Sequence, residues 1–489
     1  MSAPVSVRRS LGIVTANRIT SFGLGLLSVI VVSRLLTPHE IGIFSVSMAF
    51  IGFAHVMREF GVGQYLMQVR EITREQRRAA FTVTMAVSWM IAGVLYAIRS
   101  PAAAFYGDAG VGEVMALIAL NFVTLPFATP LRAQLHRDMQ FKKMAVADLS
   151  NSVVSALTTI AAAWLGASYL SMAYGSIAGN LAGLAALVLI SPRGALDWPT
   201  RHGLRDVFRF GAQSSVASFT TEIGTAAPDL ILGRTLGFAD VAFFSRANGL
   251  LSMALGQLKA VVQSVYGPVF ARGHREGQDT AEIYSRFSAM LLAVILPGAG
   301  MLALLSAPLI EFMFGPHWQR SAPLGSLLCV FSMLTAPVVL APFSLVASGH
   351  VGAMMRCRLA CEALRVALLF SSLFCPLELV VALLGLAYLA EAWIFLRALQ
   401  ANLGIDTRAL WRAVRSCYLL VPITLALPAC ALALLQRAGV QSAFAQLAVS
   451  GALGLAGWLL GLSLLRHPLH AEVARVWASV RSLRRRGRS

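Results

Sequence analysis

The chain has 489 residues, of which 57% are hydrophobic and only 13% are charged, and its mean hydropathy is +0.72. This composition excludes an ordinary water-soluble protein and predicts an integral membrane protein. The net charge of +18 would suit a nucleic-acid partner, but the basic residues lie in short clusters between apolar runs. We therefore interpret these clusters as membrane-flanking loops and expect no nucleic-acid binding.

Apolar runs long enough to cross about 30 Å of hydrocarbon as helices recur along the whole chain. They predict an all-α polytopic membrane protein with about 14 transmembrane helices. In chain order the predicted spans are residues 11–35, 41–65, 79–98, 113–131, 144–167, 169–191, 208–232, 239–268, 287–313, 321–347, 353–374, 377–396, 416–436 and 440–465.

The positions of lysine and arginine predict the orientation of these spans. With the N-terminus in the cytoplasm, thirty of the forty basic residues fall on the inner side, five on the outer side and five within spans. Membrane proteins carry an excess of lysine and arginine in their cytoplasmic loops. The sequence therefore predicts cytoplasmic N- and C-termini, with the segment RSLRRRGRS at 481–489 lying against anionic lipid headgroups.

A short arginine-containing phrase occurs twice in the chain. VSRLLTPHEIGIFS at 32–45 aligns with LGRTLGFADVAFFS at 232–245, and a weaker echo pairs AFYGDAG at 104–110 with FMFGPHW at 312–318. Both copies of the longer phrase fall at an outer turn after an odd-numbered span, so the two halves run in the same direction. Two parallel six-helix lobes are an arrangement that secondary transporters use for alternating access.

The repeat also divides the chain into parts. The predicted parts are an N-terminal lobe at 1–191, a cytoplasmic inter-lobe linker at 192–207, a C-terminal lobe at 208–397, two additional helices at 398–465 and a basic cytoplasmic tail at 466–489.

Several motifs carry a resemblance to a known family. They are SRLLTPHEIGIFS (33–45), EFGVGQYLMQ (59–68), FFSRANGLL (243–251), QSVYGPVFAR (263–272) and FGPHWQRSAPLGSLL (314–328). Together they resemble the polysaccharide branch of the multidrug/oligosaccharidyl-lipid/polysaccharide (MOP) flippase superfamily. Its Wzx-type members turn undecaprenyl-pyrophosphate-linked sugars from the inner to the outer leaflet of the bacterial inner membrane.

The resemblance implies the function. We expect a flippase for the lipid-linked repeat unit of O-antigen, exopolysaccharide or capsule, working by alternating access in the cytoplasmic membrane and not as an enzyme. The implied partners are the lipid-linked oligosaccharide, membrane lipids, and a polysaccharide polymerase and glycosyltransferases of the same assembly system.

Ionisable residues within the predicted spans indicate where the cargo binds. A charge at mid-bilayer costs about 2.5–3.5 kcal/mol on insertion scales, so such residues usually face a wet cavity or each other. Our hypothesis is that four cations, which share helix faces with small and polar residues, neutralise a pyrophosphate in a cavity between the lobes. They are Arg18, Arg58, Arg246 and Lys259. The simpler alternative for each is contact with lipid headgroups or with a neighbouring acid.

Four further polar residues lie on the seventh and eighth predicted spans and would line the same cavity. They are Glu222, Asp229, Asn248 and Ser252. Glu222 and Asp229 are also candidates for binding a coupling proton or sodium ion, because burial makes the pKa of a carboxyl sensitive to its surroundings. The membrane potential alone is the competing energy source. Other acids and bases within spans are interpreted as structural ion pairs or boundary residues: Asp148, Glu311, Glu362, Arg365 and Glu391.

The sequence also bears on activities other than that of a flippase. No lysine stands in a GK[ST] phosphate-binding motif, so we expect no ATP hydrolysis by this chain, and no spacing of residues predicts a metal or another cofactor. A membrane polymerase or ligase would resemble its relatives in carrying a large outer loop, whereas the longest predicted outer loop is 99–112. The remaining alternative is a cation-coupled multidrug or metabolite exporter of the same superfamily.

Overall fold

Helices form nearly all of the structure. The computed structural model describes residues 7–59, 73–191, 199–200, 222–470 and 475, and no β-strand occurs in these ranges. The predicted all-α class is therefore confirmed. The reason is the solvent: hydrocarbon offers no hydrogen-bond partner, so each span must satisfy its own backbone N–H and C=O groups.

The chain separates into two compact units, Met1–Ala242 and Phe243–Ser489. In the first unit the described helices are α1 (Val7–Leu35), α2 (Pro38–Glu59), α3 (Arg74–Tyr106), α4 (Ala109–Arg137), α5 (Phe141–Trp164), α6 (Leu170–Ile190) and α7 over 222–235. The next helix, α8 (Phe238–Arg275), begins at the end of the first unit and continues in the second.

The second unit contains the remaining described helices. They are α9 (Thr280–Leu304), α10 (Ser306–Phe314), α11 (Ser321–Thr335), α12 (Ala341–Ala347), α13 (Val351–Leu369), α14 (Leu377–Leu403), α15 (Thr407–Arg437) and α16 (Ala443–Leu464). Short 3₁₀ turns lie at Pro316–Trp318, Ala336–Val338 and Phe370–Leu373.

Among the described residues, 10 helices are long and apolar enough to cross a membrane. The chain is therefore a multi-pass membrane protein, and the larger number of fourteen spans stays a prediction. Helix α13 is not among the ten because four charged residues interrupt its apolar sequence. Residues 208–221 of the predicted seventh span lie outside the described residues, as do most of the predicted linker and tail.

The outer loop predicted at 99–112 is helical instead. Helix α3 continues to Tyr106 and α4 begins at Ala109, so only Gly107 and Asp108 separate them. Gly107 adopts a left-handed conformation, with φ 73°, and the Asp108 side chain accepts a hydrogen bond from the Gly110 N–H at 2.7 Å. The loop prediction was wrong because hydropathy falls where the hydrocarbon ends, whereas helical hydrogen bonding continues beyond it.

The repeated phrase forms a helix–turn–helix in both copies. The turn between α1 and α2 is Leu36–Thr37, and the turn between α7 and α8 is Leu236–Gly237. In the first copy Glu40 Oε2 accepts a hydrogen bond from the Thr37 N–H at 2.7 Å, and the Glu40 N–H donates to Thr37 Oγ1 at 3.4 Å. This capping box starts α2. The turns predicted at both copies are confirmed.

The two turns contact each other within the first unit. Gly42 lies directly against the backbone carbonyl of Phe238, with no space for a Cβ atom. The rings of His39 and Phe238 meet edge to face, with centroids 5.3 Å apart. Nearby, the Tyr106 hydroxyl donates a hydrogen bond to the backbone oxygen of Leu230 at 3.0 Å. Position 42 therefore requires glycine because two backbones approach each other there.

We expect Gly42→Ala to destabilise the protein because the new methyl group would overlap the Phe238 carbonyl, which belongs to the backbone and cannot rotate away. Overpacking of this kind costs about 1–3 kcal/mol. The measurement is the thermal unfolding midpoint of purified protein in detergent. Gly93→Ala on α3 is the matched control, since no atom lies within 4 Å of its added Cβ. Equal midpoints for the two variants would contradict the close approach.

Candidate functional site

Arg246 on α8 lies against two aromatic rings of the second unit. Its guanidinium carbon is 5.4 Å from the ring centroid of Phe314 and 5.4 Å from that of Trp318. The two rings also contact each other, with centroids 6.2 Å apart. Both cation–ring distances are within the roughly 6 Å over which a cation–π interaction acts. The rings therefore stabilise the positive charge.

Arg246 has no ion-pair partner in the part of the second unit that the structure describes, and its buried Nε atom has no hydrogen-bond acceptor there. A buried donor without a partner costs about 1–3 kcal/mol. Such a group is uncommon in native proteins and needs a reason for being kept. An aromatic ring attracts a cation through its π electrons and supplies no oxygen acceptor, so a cation–π contact does not use the N–H donors as a carboxylate does. The arrangement can therefore bind an anion at its edge.

A second arginine lies on the same aromatic group but is neutralised. The Arg320 guanidinium carbon is 5.1 Å from the ring centroid of Phe243, and that ring contacts Trp318 with centroids 6.0 Å apart. Arg320 Nη2 donates a hydrogen bond to Glu378 Oε1 at 3.0 Å. The two arginines thus share one cluster, which we call the aromatic cluster: Phe243, Phe314 and Trp318. Only Arg320 is paired with a carboxylate there.

The other predicted cations are described in part. Arg18 lies on α1 in the first unit and its side chain is exposed. Arg58 lies in the last turn of α2 and Lys259 in the middle of α8, and both side chains lie outside the described residues. The binding of cargo by these three residues stays a prediction.

The predicted acids lie on α7 and the predicted amide and hydroxyl on α8. The Glu222 carboxylate fills the space beside Gly52 of α2 that a Cβ atom would otherwise take. Asp229 is half-buried about two turns further along α7. Asn248 is half-buried and Ser252 exposed, one turn apart on α8. Each pair shares one helix as predicted, and their roles in coupling and cargo binding stay predictions.

Four of the five residues interpreted from the sequence as structural ion pairs or boundary residues form ion pairs, and the fifth, Glu311, accepts a hydrogen bond from Gln319 at 3.1 Å. Arg365 on α13 donates hydrogen bonds to Glu362 Oε2 at 3.0 Å and to Glu391 Oε2 on α14 at 3.0 Å. In the first unit Arg132 Nη1 lies 2.6 Å from Asp148 Oδ1. These contacts confirm the interpretation for both sets. They also show how a charge within a span is neutralised when it serves packing.

Sequence reasoning missed the two aromatic residues that contact Arg246. Phe314 and Trp318 lie in the FMFGPHW echo and in the motif FGPHWQRSAPLGSLL, which indicate a repeated turn and a family but no contact with Arg246. One signal in the sequence could have found them. The two aromatic residues lie beside a predicted outer turn, and Arg246 lies near the outer end of its own predicted span. Their contact with Arg246 cannot be inferred from spacing, because many residues separate them along the chain.

The chain is similar to known proteins over much of its length. Residues 31–323 match the family described as polysaccharide biosynthesis protein. Lipopolysaccharide biosynthesis protein WzxC of Escherichia coli (strain K12) is 21% identical over 318 residues, which cover 64% of this chain and 64% of WzxC. Succinoglycan biosynthesis transport protein ExoT of Rhizobium meliloti (strain 1021) is 25% identical over 339 residues, 68% of this chain and 67% of ExoT. The chain thus spans about two thirds of these relatives.

Solved structures share the fold. Lipid II flippase MurJ in an inward closed conformation superposes with a TM-score of 0.74, covering 93% of this chain and 99% of MurJ at 11% sequence identity. An inward-facing multidrug resistance transporter of the MATE family, in the MOP superfamily, gives a TM-score of 0.59, covering 80% of this chain and 95% of the transporter at 15% identity. At these identities the similarity establishes a transporter fold of the MurJ and MATE type.

We expect Arg365→Leu to destabilise the protein strongly, because it leaves Glu362 and Glu391 as neighbouring charges without a partner. Removing one member of a buried ion pair costs about 3–5 kcal/mol. The thermal unfolding midpoint and the yield of purified protein measure the effect. The control is the neutral triple variant Glu362→Gln, Arg365→Met, Glu391→Gln, which should recover most of the loss. A single variant as stable as the wild type would contradict the pairing.

Proposed function

Because this chain belongs to the polysaccharide biosynthesis protein family, we propose that it moves an undecaprenyl-pyrophosphate-linked oligosaccharide from the inner to the outer leaflet of the bacterial cytoplasmic membrane. The cargo is the repeat unit of O-antigen, exopolysaccharide or capsule. Its relatives WzxC and ExoT are named for lipopolysaccharide biosynthesis and succinoglycan transport, and the MurJ fold is that of a lipid II flippase. These names support transport of a lipid-linked sugar rather than an enzymatic reaction.

The observation that carries the proposal is the guanidinium of Arg246, held in largely apolar surroundings without a carboxylate among the described residues of its unit. A pyrophosphate supplies the missing negative charge and accepts charge-assisted hydrogen bonds from an arginine. A transporter of organic cations would place an acid there instead. The remaining predicted cations, Arg18, Arg58 and Lys259, would add to the same attraction.

Energy for transport is proposed to come from a proton or sodium ion bound at Glu222 and Asp229. The support is local: both carboxylates are half-buried on α7, a helix that ends at the repeated turn. We also propose that the N- and C-termini are cytoplasmic, on the basis of the arginine distribution. A polymerase and glycosyltransferases of the same assembly system are the proposed protein partners.

The proposed function is tested by deleting the gene in its host and following lipid-linked sugars and surface polysaccharide. We expect surface polysaccharide to be lost and lipid-linked oligosaccharide to accumulate on the cytoplasmic face. Wild-type protein should restore both, and Arg246→Ala should restore transport at least about tenfold less well, since hydrogen bonds to charged groups contribute about 1.5–3 kcal/mol. Arg18→Ala tests the first unit separately.

The control is the double variant Arg320→Gln, Glu378→Gln, which changes an arginine of the same aromatic cluster without leaving a charge unpaired. It should restore transport as the wild type does, at equal expression. Unchanged polysaccharide in the deletion strain, together with new sensitivity to small toxic cations, would refute lipid-linked cargo and support the multidrug exporter of the same fold.

A further inference from the structure

We propose that Phe314 and Trp318 are positioning residues for cargo binding. They stabilise the Arg246 guanidinium through cation–π contacts, which supply no oxygen acceptor, and so keep its N–H donors available to a phosphate or diphosphate oxygen. The inference rests on the proposed function in that the cargo must carry such an anion. It adds two residues that do not contact the anion but determine the position of the Arg246 guanidinium that binds it.

The first argument compares two ways of stabilising an arginine. A carboxylate binds the edge of the guanidinium through paired N–H···O bonds, and those donors are then occupied. An aromatic ring attracts the cation through its face and leaves the in-plane donors unused. Arg320 is held in both ways, by Phe243 and by Glu378, whereas Arg246 is held by two rings.

The second argument is rigidity. The Trp318 side chain is fully buried and Phe314 is 3% exposed, so neither ring can move without repacking its surroundings. The turn that carries them is fixed by Gly315, which has a φ of 96° that favours glycine. The Gly315 N–H donates to the Glu311 backbone oxygen at 3.0 Å, and the Trp318 N–H donates to the Gly315 oxygen at 3.3 Å. The rings therefore form a preorganised holder for the guanidinium.

The third argument is electrostatic. Attraction between opposite charges increases as the effective dielectric constant falls. The two buried rings that contact Arg246 exclude water on their side of the guanidinium, so an anion that reaches its N–H donors is attracted more strongly than by an exposed arginine. An arginine is suited to this position because its charge is delocalised, weakly hydrated and able to stack, whereas a lysine ammonium is strongly hydrated.

The test is binding of inorganic pyrophosphate to purified full-length protein in lipid nanodiscs, measured by isothermal titration calorimetry. We expect Phe314→Leu and Trp318→Leu each to weaken binding by about 2- to 30-fold, the range that follows from the strength of a cation–π contact. Trp318→Phe and Phe314→Tyr keep a ring and should bind close to wild type. Arg246→Lys should bind weakly although it keeps the charge.

Each outcome has a separate meaning. Leucine variants that bind as the wild type does, while Arg246→Ala loses binding, would overturn the positioning role and leave the proposed function intact. Arg246→Ala that binds as the wild type, or wild-type protein that does not bind pyrophosphate, would overturn the positioning role and remove Arg246 from the proposed cargo site. The double variant Arg320→Gln, Glu378→Gln is the control and should bind normally. Thermal unfolding midpoints establish that each variant is folded. If a leucine variant does not fold, the variants that keep an aromatic ring test the inference instead.

Discussion

Hydrocarbon neither donates nor accepts a hydrogen bond, and the architecture follows from this constraint. Helices begin at capped turns, as Thr37 at the start of α2 and Asp108 at the start of α4 show. Where a predicted span is interrupted, side chains replace the missing backbone partners. Helix α11 ends at Thr335 and a 3₁₀ turn follows at Ala336–Val338; there the buried Tyr284 hydroxyl donates a hydrogen bond to the Pro337 oxygen at 2.8 Å. The interruption is tolerated because its polar group is satisfied inside the protein.

The same solvent removes the usual force that brings helices together, because a lipid tail is as apolar as a leucine side chain. Close packing through small residues takes its place. Gly175 of α6 lies against Thr159 of α5, and a Cβ at Gly457 of α16 would lie 3.0 Å from the Thr424 backbone oxygen of α15. The contact of Gly42 with the Phe238 carbonyl extends this principle to turns. It gives the reason for glycine at position 42, where the second copy has Ala242.

The sequence predicted what depends on local pattern and missed what depends on distant partners. Apolar runs predicted the all-α class, and the repeat predicted both helix–turn–helix units, because each needs only neighbouring residues. The prediction of a loop at 99–112 was wrong because hydropathy indicates where the hydrocarbon ends and not where the last hydrogen bond of a helix lies. Charges within spans were recognised as significant, and Arg246 and Arg365 were assigned different roles, but the residues that contact each of them were not predicted. Their difference lies in Trp318 and Glu391, which are far from them in the chain and come near only in the fold.

Three arginines of the second unit show how that difference decides what a charge can do. Arg365 donates to two carboxylates and Arg320 to one, so their in-plane donors are engaged by the protein. Arg246 is stabilised by two rings, which offset part of the cost of its burial and leave its buried Nε without an acceptor among the described residues. The arginines bound to carboxylates stabilise the packing of helices. An arginine held by rings alone gains its remaining stabilisation only when an anion arrives, and this dependence on a ligand is what suits it to the proposed binding of cargo.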